Sequence, residues 1–154
     1  ARAVQTLDSM LGSCRFKLAR EASDEIHASV SPGTTGRSPG AANLDTDYVA
    51  ERVGSTDDHL HATYSAGLAS IAEIPDPYHQ GLAYFAFAFL HRFYPAENCQ
   101  TALLMSSGHL MMHGYPAISV PGSRRREWNA TLAGFYAQRD ATKIFDLLGT
   151  CSSW

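Results

Sequence analysis

The chain has 154 residues, a length that suits one domain around one core. A net charge of −3, with only 18% charged residues, leaves no long basic stripe, so nucleic acid is not an expected partner. Cys14, Cys99 and Cys151 are too few and too scattered for a disulfide framework or a paired metal knuckle. The longest apolar run, residues 81–90, falls short of the ~18 residues of a membrane span, and no signal peptide is read, so a cytoplasmic protein with no membrane partner is expected.

Taken in chain order, Val4, Leu7, Leu11, Cys14 and Leu18 recur at three- and four-residue steps. That spacing predicts an amphipathic helix over residues 3–20, extending towards 29. Residues 31–45, SPGTTGRSPGAANLD, hold three glycines and two prolines and read as a loop or short irregular hairpin. Residues 32–54 are the one place where a β-hairpin is allowed for. Ser55 and Asp58 form a capping box ahead of Leu60, Tyr64, Leu68 and Ile71, which predicts a helix over 56–72.

Asp76-Pro77 is a helix start, a capping carboxylate followed by proline in the first turn. The helix it opens, 77–90, contains LAYFAFAFL and is apolar on nearly every side, so it is expected at the centre of the domain. Asn98 is the expected N-cap of a helix over 99–113, with Gly114 as its left-handed stop and Pro116 preventing continuation. Ser123 is expected to cap a helix to about 138 with Trp128, Leu132 and Phe135 inward, and Asp140 a last one ending at Gly149. The fold class is all-α, a single domain of five to seven helices, with N-terminal helices over 3–29, a flap or loop over 31–54 and core helices over 56–149.

The chemistry-bearing stretch is HRFYPAENCQTALLM, residues 91–105. A loop of about six residues delivers His91 beside the N-terminus of the next helix, where free N–H groups and the dipole favour an anion such as phosphate. An imidazole there can take the proton of an attacking hydroxyl. The same histidine can equally close its own helix by meeting the last carbonyls.

Further along come Leu103-Leu104-Met105, Gly114-Tyr115-Pro116, Arg126-Glu127-Trp128-Asn129, and Ile144-Phe145 with Leu147-Leu148. In this order and spacing, residues 87–148 resemble the Fic (Fido) family of adenylyl transferases, whose signature reads HPFx[DE]GNGRxxR. The resemblance implies a helical Fic-like domain. It also implies His91 as general base, Phe93 as loop anchor, residues 96–99 (Ala96, Glu97, Asn98, Cys99) as the anion loop, and Gly36 and Arg37 within a target-positioning flap. Mg²⁺ and ATP, or another nucleotide, are the implied cofactors, and a hydroxyl-bearing protein or small molecule the implied substrate.

The loop departs from that signature. Aligned without a gap, Pro95 stands where the family has its metal-binding acid, Ala96 and Asn98 where it has glycines, Glu97 where it has asparagine, and Cys99 and Ala102 where it has arginines. Shifting the loop by one residue lets Asn98 match the asparagine and still leaves both arginines absent. Two charge-assisted phosphate bonds are lost and an acid is added, a cost to nucleotide binding of several kcal/mol at ~1.5–3 kcal/mol per bond. Glu97 either binds Mg²⁺ or is a solvated first-turn residue favouring its own helix dipole.

Two functions follow. In one, His91 moves a nucleotidyl or other phosphate-linked group onto a hydroxyl. In the other, a diverged domain without nucleotide transfer serves as a binding module, or reuses His91 with Glu97 or Cys99 for acid–base work on a small molecule. His109 and His113 have the spacing of a zinc pair without the HExxH glutamate, and no metal site is expected there. Arg124-Arg125-Arg126 opposes the dipole of its own helix, which suits contact with a phosphate or an acidic partner.

Overall fold

A computed structural model describes residues 2–30 and 57–151. Among these the fold is all-helical: α1 (Arg2–Gly12), α2 (Arg20–Val30), α3 (Asp57–Ala72), α4 (Pro77–His91), α5 (Asn98–Met112), α6 (Arg125–Gln138) and α7 (Thr142–Cys151), with a 3-10 turn at Gly122–Arg124. Ser55 and the whole expected flap over 32–54, Gly36 and Arg37 included, lie outside the described residues.

The centre is α4, as its composition predicts. Leu82, Tyr84, Phe85, Ala86, Ala88 and Phe89 are all buried, so the helix has neighbours on every side. Asp76 accepts a hydrogen bond from the Tyr78 N–H at 3.1 Å and Pro77 fills the first helical position, which together fix where α4 begins. It runs antiparallel to α5. A Cβ at Gly81, near the start of α4, would lie 2.9 Å from Leu110 Cδ2, near the end of α5, so glycine is what lets the two backbones close up.

On the α5 side of this pair lie α1 and α2. On the α4 side lie α3, α7 and α6. Phe87 of α4 fits the gap left by Gly67 of α3. Trp128 of α6 meets Phe85 at a tilt and Phe135 stacks on Phe89, with ring centroids 5.6 and 5.8 Å apart. Residues from all seven helices form one hydrophobic cluster. No helix among the described residues is long and apolar enough to cross a membrane.

Four boundaries differ from expectation. The helix expected over 3–20 stops at Gly12. Cys14 takes a left-handed conformation (φ 54°), the Cys14 N–H donates to the Leu11 carbonyl, and the Arg15 and Phe16 N–H groups donate to that of Met10. This is a Schellman stop with cysteine in the position glycine usually fills. The buried stripe is Ala3, Leu7 and Met10, so Val4 and Cys14 are exposed rather than core. A seven-residue connection, carrying the buried Phe16, separates α1 from α2.

Asn98 is the first residue of α5 instead of its cap. Glu97, at φ 59°, holds the N-cap position and makes no side-chain cap bond. Ser123 does not cap α6, because the chain enters through the 3-10 turn with Arg124 at the N-cap. Finally, α7 runs two residues past Gly149, to Cys151, whose carbonyl accepts from the Ser119 N–H at 3.0 Å. The Gly114 stop is as expected (φ 81°), with the Tyr115 N–H donating to the Leu110 carbonyl and the Gly114 N–H to that of Met111.

Candidate functional site

The connection from α4 to α5 is short and firmly tied. Arg92 ends α4 in a left-handed conformation (φ 47°), with its N–H donating to the Ala88 carbonyl. Phe93 then turns inward to 2% exposure and meets Tyr64 edge-on, centroids 4.8 Å apart. Asn98, 4% exposed, bridges the loop's own backbone. Its Oδ1 accepts from the Tyr94 N–H at 2.9 Å and its Nδ2 donates to the Tyr94 carbonyl at 2.7 Å. An asparagine that pairs with both backbone groups of one residue fixes the loop more firmly than a cap would.

Ala96 and Glu97 are exposed at the tip, and Cys99 packs part-buried against the core. The Ala96 carbonyl accepts from His27 Nε2 of α2 at 3.1 Å. The His27 ring stacks on Tyr94, centroids 3.9 Å apart and planes 7° from parallel. The Tyr94 hydroxyl donates to Asp24 at 2.7 Å and lies 2.7 Å from Ser23 Oγ. Arg20, paired with Asp24 at 2.9 Å, places its guanidinium over Tyr64, Phe93 and Tyr94. Burial pushes the Tyr64, Tyr84 and Tyr94 phenols upward, so they remain protonated donors over the ordinary pH range.

None of this clamp from α2 was foreseen. The sequence offers one weak signal, the polar run Arg20, Ser23, Asp24 and His27 on one helical face. Under the loop lies a void of about 10 Å³ lined by Ser23, Tyr84, Tyr94, Asn98 and Thr101, beside the unpartnered Thr101 hydroxyl. That is the scale of a single water and far below a nucleotide.

His91 is exposed at the end of α4, with its ring against Phe87 (4.9 Å) and Phe93 (5.8 Å). These apolar faces desolvate the imidazole and lower its pKa, and the positive charge of Arg139 lowers it further. The ring is therefore a neutral proton acceptor at pH 7. Arg139 closes α6 in a left-handed turn (φ 58°), and its guanidinium lies 4.5 Å from the Tyr136 ring centroid. The guanidinium of Arg92, buried, lies 4.9 Å from the centroid of Phe89 and 5.2 Å from that of Tyr136. Of these two arginines, only Arg139 acts on the His91 ring. Among the residues expected to act together, the structure brings His91 to Phe93.

The remaining candidates have structural partners. Arg124 forms a two-point pair with Glu127 at 2.8 and 2.9 Å and also reaches Thr150, which offsets the charge of the first arginine of the run. His113 Nδ1 donates to the His109 carbonyl at 2.8 Å, and His109 Nε2 meets Gln80 Oε1 at 3.0 Å. Gln80 Nε2 donates to the Ile74 carbonyl at 2.7 Å, so its Oε1 is an acceptor and His109 is the donor. No group of three or more potential metal-ligating His, Cys, Asp or Glu side chains occurs among the described residues.

Burial first, then the neighbouring His113 charge, pushes the His109 pKa from 6.5 down to about 4, against a smaller opposing contact with the Pro77 backbone. The unfolded chain therefore binds this proton more readily than the folded one. Stability contributed by neutral His109 is complete above pH 6.5 and is lost as pH falls towards 4. A loss on the order of 2–3 kcal/mol is expected across that window. Urea melts of the native chain and of His109→Gln should diverge as pH falls from 7 to 4.5; parallel curves would show that His109 is not the group responsible.

Scans of the chain against protein-family models, curated proteins and solved structures find no match in any of the three.

Proposed function

We propose that the end of α4 is a proton-accepting site acting on a phosphate-linked substrate, as in a Fic-like transferase. His91 takes the proton of a hydroxyl that attacks the phosphorus of the donor, the new P–O bond forming as the P–O bond to the leaving phosphate group (pyrophosphate for ATP) breaks, and Arg139 supplies positive charge beside it for the phosphate. The observation that carries this reading is an exposed imidazole kept neutral by two phenylalanines and a nearby arginine. The donor class is ATP or another nucleotide, and the acceptor a hydroxyl-bearing protein or small molecule. Glu97 is the one carboxylate in the loop and the residue that would hold Mg²⁺. A cytoplasmic setting belongs to the same proposal.

A second reading is a diverged binding module without nucleotide transfer. It is favoured by the tied loop: Asn98 and His27 occupy the loop backbone, and the void beneath takes no more than a water.

Nucleotide titration separates the two. Under the first, millimolar MgATP shifts the His91 imidazole resonance, Arg139→Ala abolishes that shift, and His91→Ala removes transfer of labelled nucleotide to a hydroxyl acceptor. An unmoved His91 resonance with no heat of binding at millimolar nucleotide overturns the first and leaves the second.

A further inference from the structure

The small void under the α4–α5 loop is where three helices bring hydroxyl groups together. Ser23 of α2, Tyr84 of α4 and Thr101 of α5 line it, and Ala88, Phe93 and Ala102 supply its apolar walls. Ser23 and Tyr84 are 1% exposed and Thr101 2%, so bulk solvent does not serve these hydroxyls. The Asn98 amide, on the same wall, is turned to the Tyr94 backbone.

Thr101 is the group that calls for an occupant. A threonine inside a helix can give its hydroxyl to the carbonyl four residues back. Here that carbonyl, of Glu97, accepts from the Thr101 N–H at 3.0 Å, and the hydroxyl meets no protein donor or acceptor. Buried hydroxyls are bonded as a rule, so the exception needs a partner. The neighbouring hydroxyls keep capacity to supply one end of that bonding. Asp24, ion-paired with Arg20, only accepts, so the Tyr94 proton goes to it at 2.7 Å. The 2.7 Å contact between Tyr94 and Ser23 then uses the Ser23 proton and leaves Ser23 Oγ able to accept. The Tyr64–Tyr84 contact, also 2.7 Å, uses one proton of two, so Tyr84 offers either a proton or a lone pair.

We propose that this void binds one water molecule, which joins α2, α4 and α5 behind the loop. The volume of about 10 Å³ fits a single water, and three polar partners are what an internal water typically has. The water accepts from Thr101 and donates to Ser23, and Tyr84 takes the third place in either sense. Donors then run one way, from Thr101 through the water, Ser23 and Tyr94 to Asp24 at the surface. No charged side chain lines the void, so a neutral occupant fits it and an ion does not. The site stands whichever function the end of α4 serves.

The test uses the whole chain. Oxygen-17 magnetic relaxation dispersion counts the waters held inside a protein for longer than it tumbles. Thr101→Val, which keeps the shape and removes the hydroxyl, should hold one such water fewer than the native chain, and Thr101→Ser the same number. Ser23→Ala, which removes the acceptor, serves if Thr101→Val does not fold. A high-resolution crystal structure of the native chain should show density within hydrogen-bond distance of both Thr101 Oγ1 and Ser23 Oγ. An unchanged count in the valine and alanine variants overturns the proposal. So does a crystal structure in which the void is dry, or in which the Thr101 hydroxyl turns to the Glu97 carbonyl instead.

Discussion

Phe89→Ala is expected to lower the free energy of unfolding by about 3–5 kcal/mol, a large part of the ~5–15 kcal/mol that holds a domain of this size together. Phe89 is 0% exposed and lies between Phe85 of its own helix and Phe135 of α6, at centroid distances of 5.9 and 5.8 Å. Truncation removes the transfer energy of the ring and leaves a cavity that α4, packed on both sides, cannot close. It also removes a face from the buried Arg92 guanidinium, 4.9 Å from the Phe89 centroid, so a charge loses part of its shielding. Val4→Ala, at a position half exposed on α1, should cost less than about 0.5 kcal/mol. Urea unfolding of both variants checks the contrast. A loss at Phe89 below about 1 kcal/mol would mean that α4 is not the central helix.

That centre was legible from the sequence because its signals are local. Asp76-Pro77 fixes the start of α4 through one side chain and one missing N–H, and LAYFAFAFL leaves no polar face for water. Gly114 marks the end of α5 for an equally local reason. Two of the misread boundaries are those where another residue adopts a conformation glycine favours. Cys14 ends α1 and Glu97 precedes α5, both at positive φ, and a side chain in that conformation gives the sequence no warning. Ser123 failed as a cap because Arg124 pairs with both Glu127 and Thr150, and Thr150 is 26 residues away.

The candidate site was legible only in part, for a related reason. His91 could be singled out because it ends the most apolar helix. What sets its chemistry comes only partly from its own stretch: burial against Phe87 and Phe93 lowers its pKa most, Arg139 at the close of α6 lowers it further, and α2 supports the neighbouring loop through contacts about 70 residues apart in sequence. In three dimensions a positive charge acts on His91 from Arg139 at the C-terminal end of α6, where a cation is favoured by the dipole in any case.

Asn98→Ala is expected to cost about 2–4 kcal/mol, because it strips both Tyr94 backbone groups of their partner, at ~1–3 kcal/mol for each group left unsatisfied. Asn98→Asp tests the two bonds separately. A carboxylate still accepts from the Tyr94 N–H but cannot donate to the Tyr94 carbonyl, so it should lose roughly half as much. Chemical denaturation gives the totals, and hydrogen exchange at the Tyr94 amide reports the local opening. Because His27 and Asp24 still grip Tyr94 from α2, the loop in Asn98→Ala should loosen without α4 and α5 separating. Exchange would then accelerate at residues 94–98 and stay slow at Phe85 and Phe89. If the Tyr94 amide exchanges no faster in the variant, the asparagine bridge is not what holds the loop, and the rigid connection beside His91 must be credited to the α2 clamp alone.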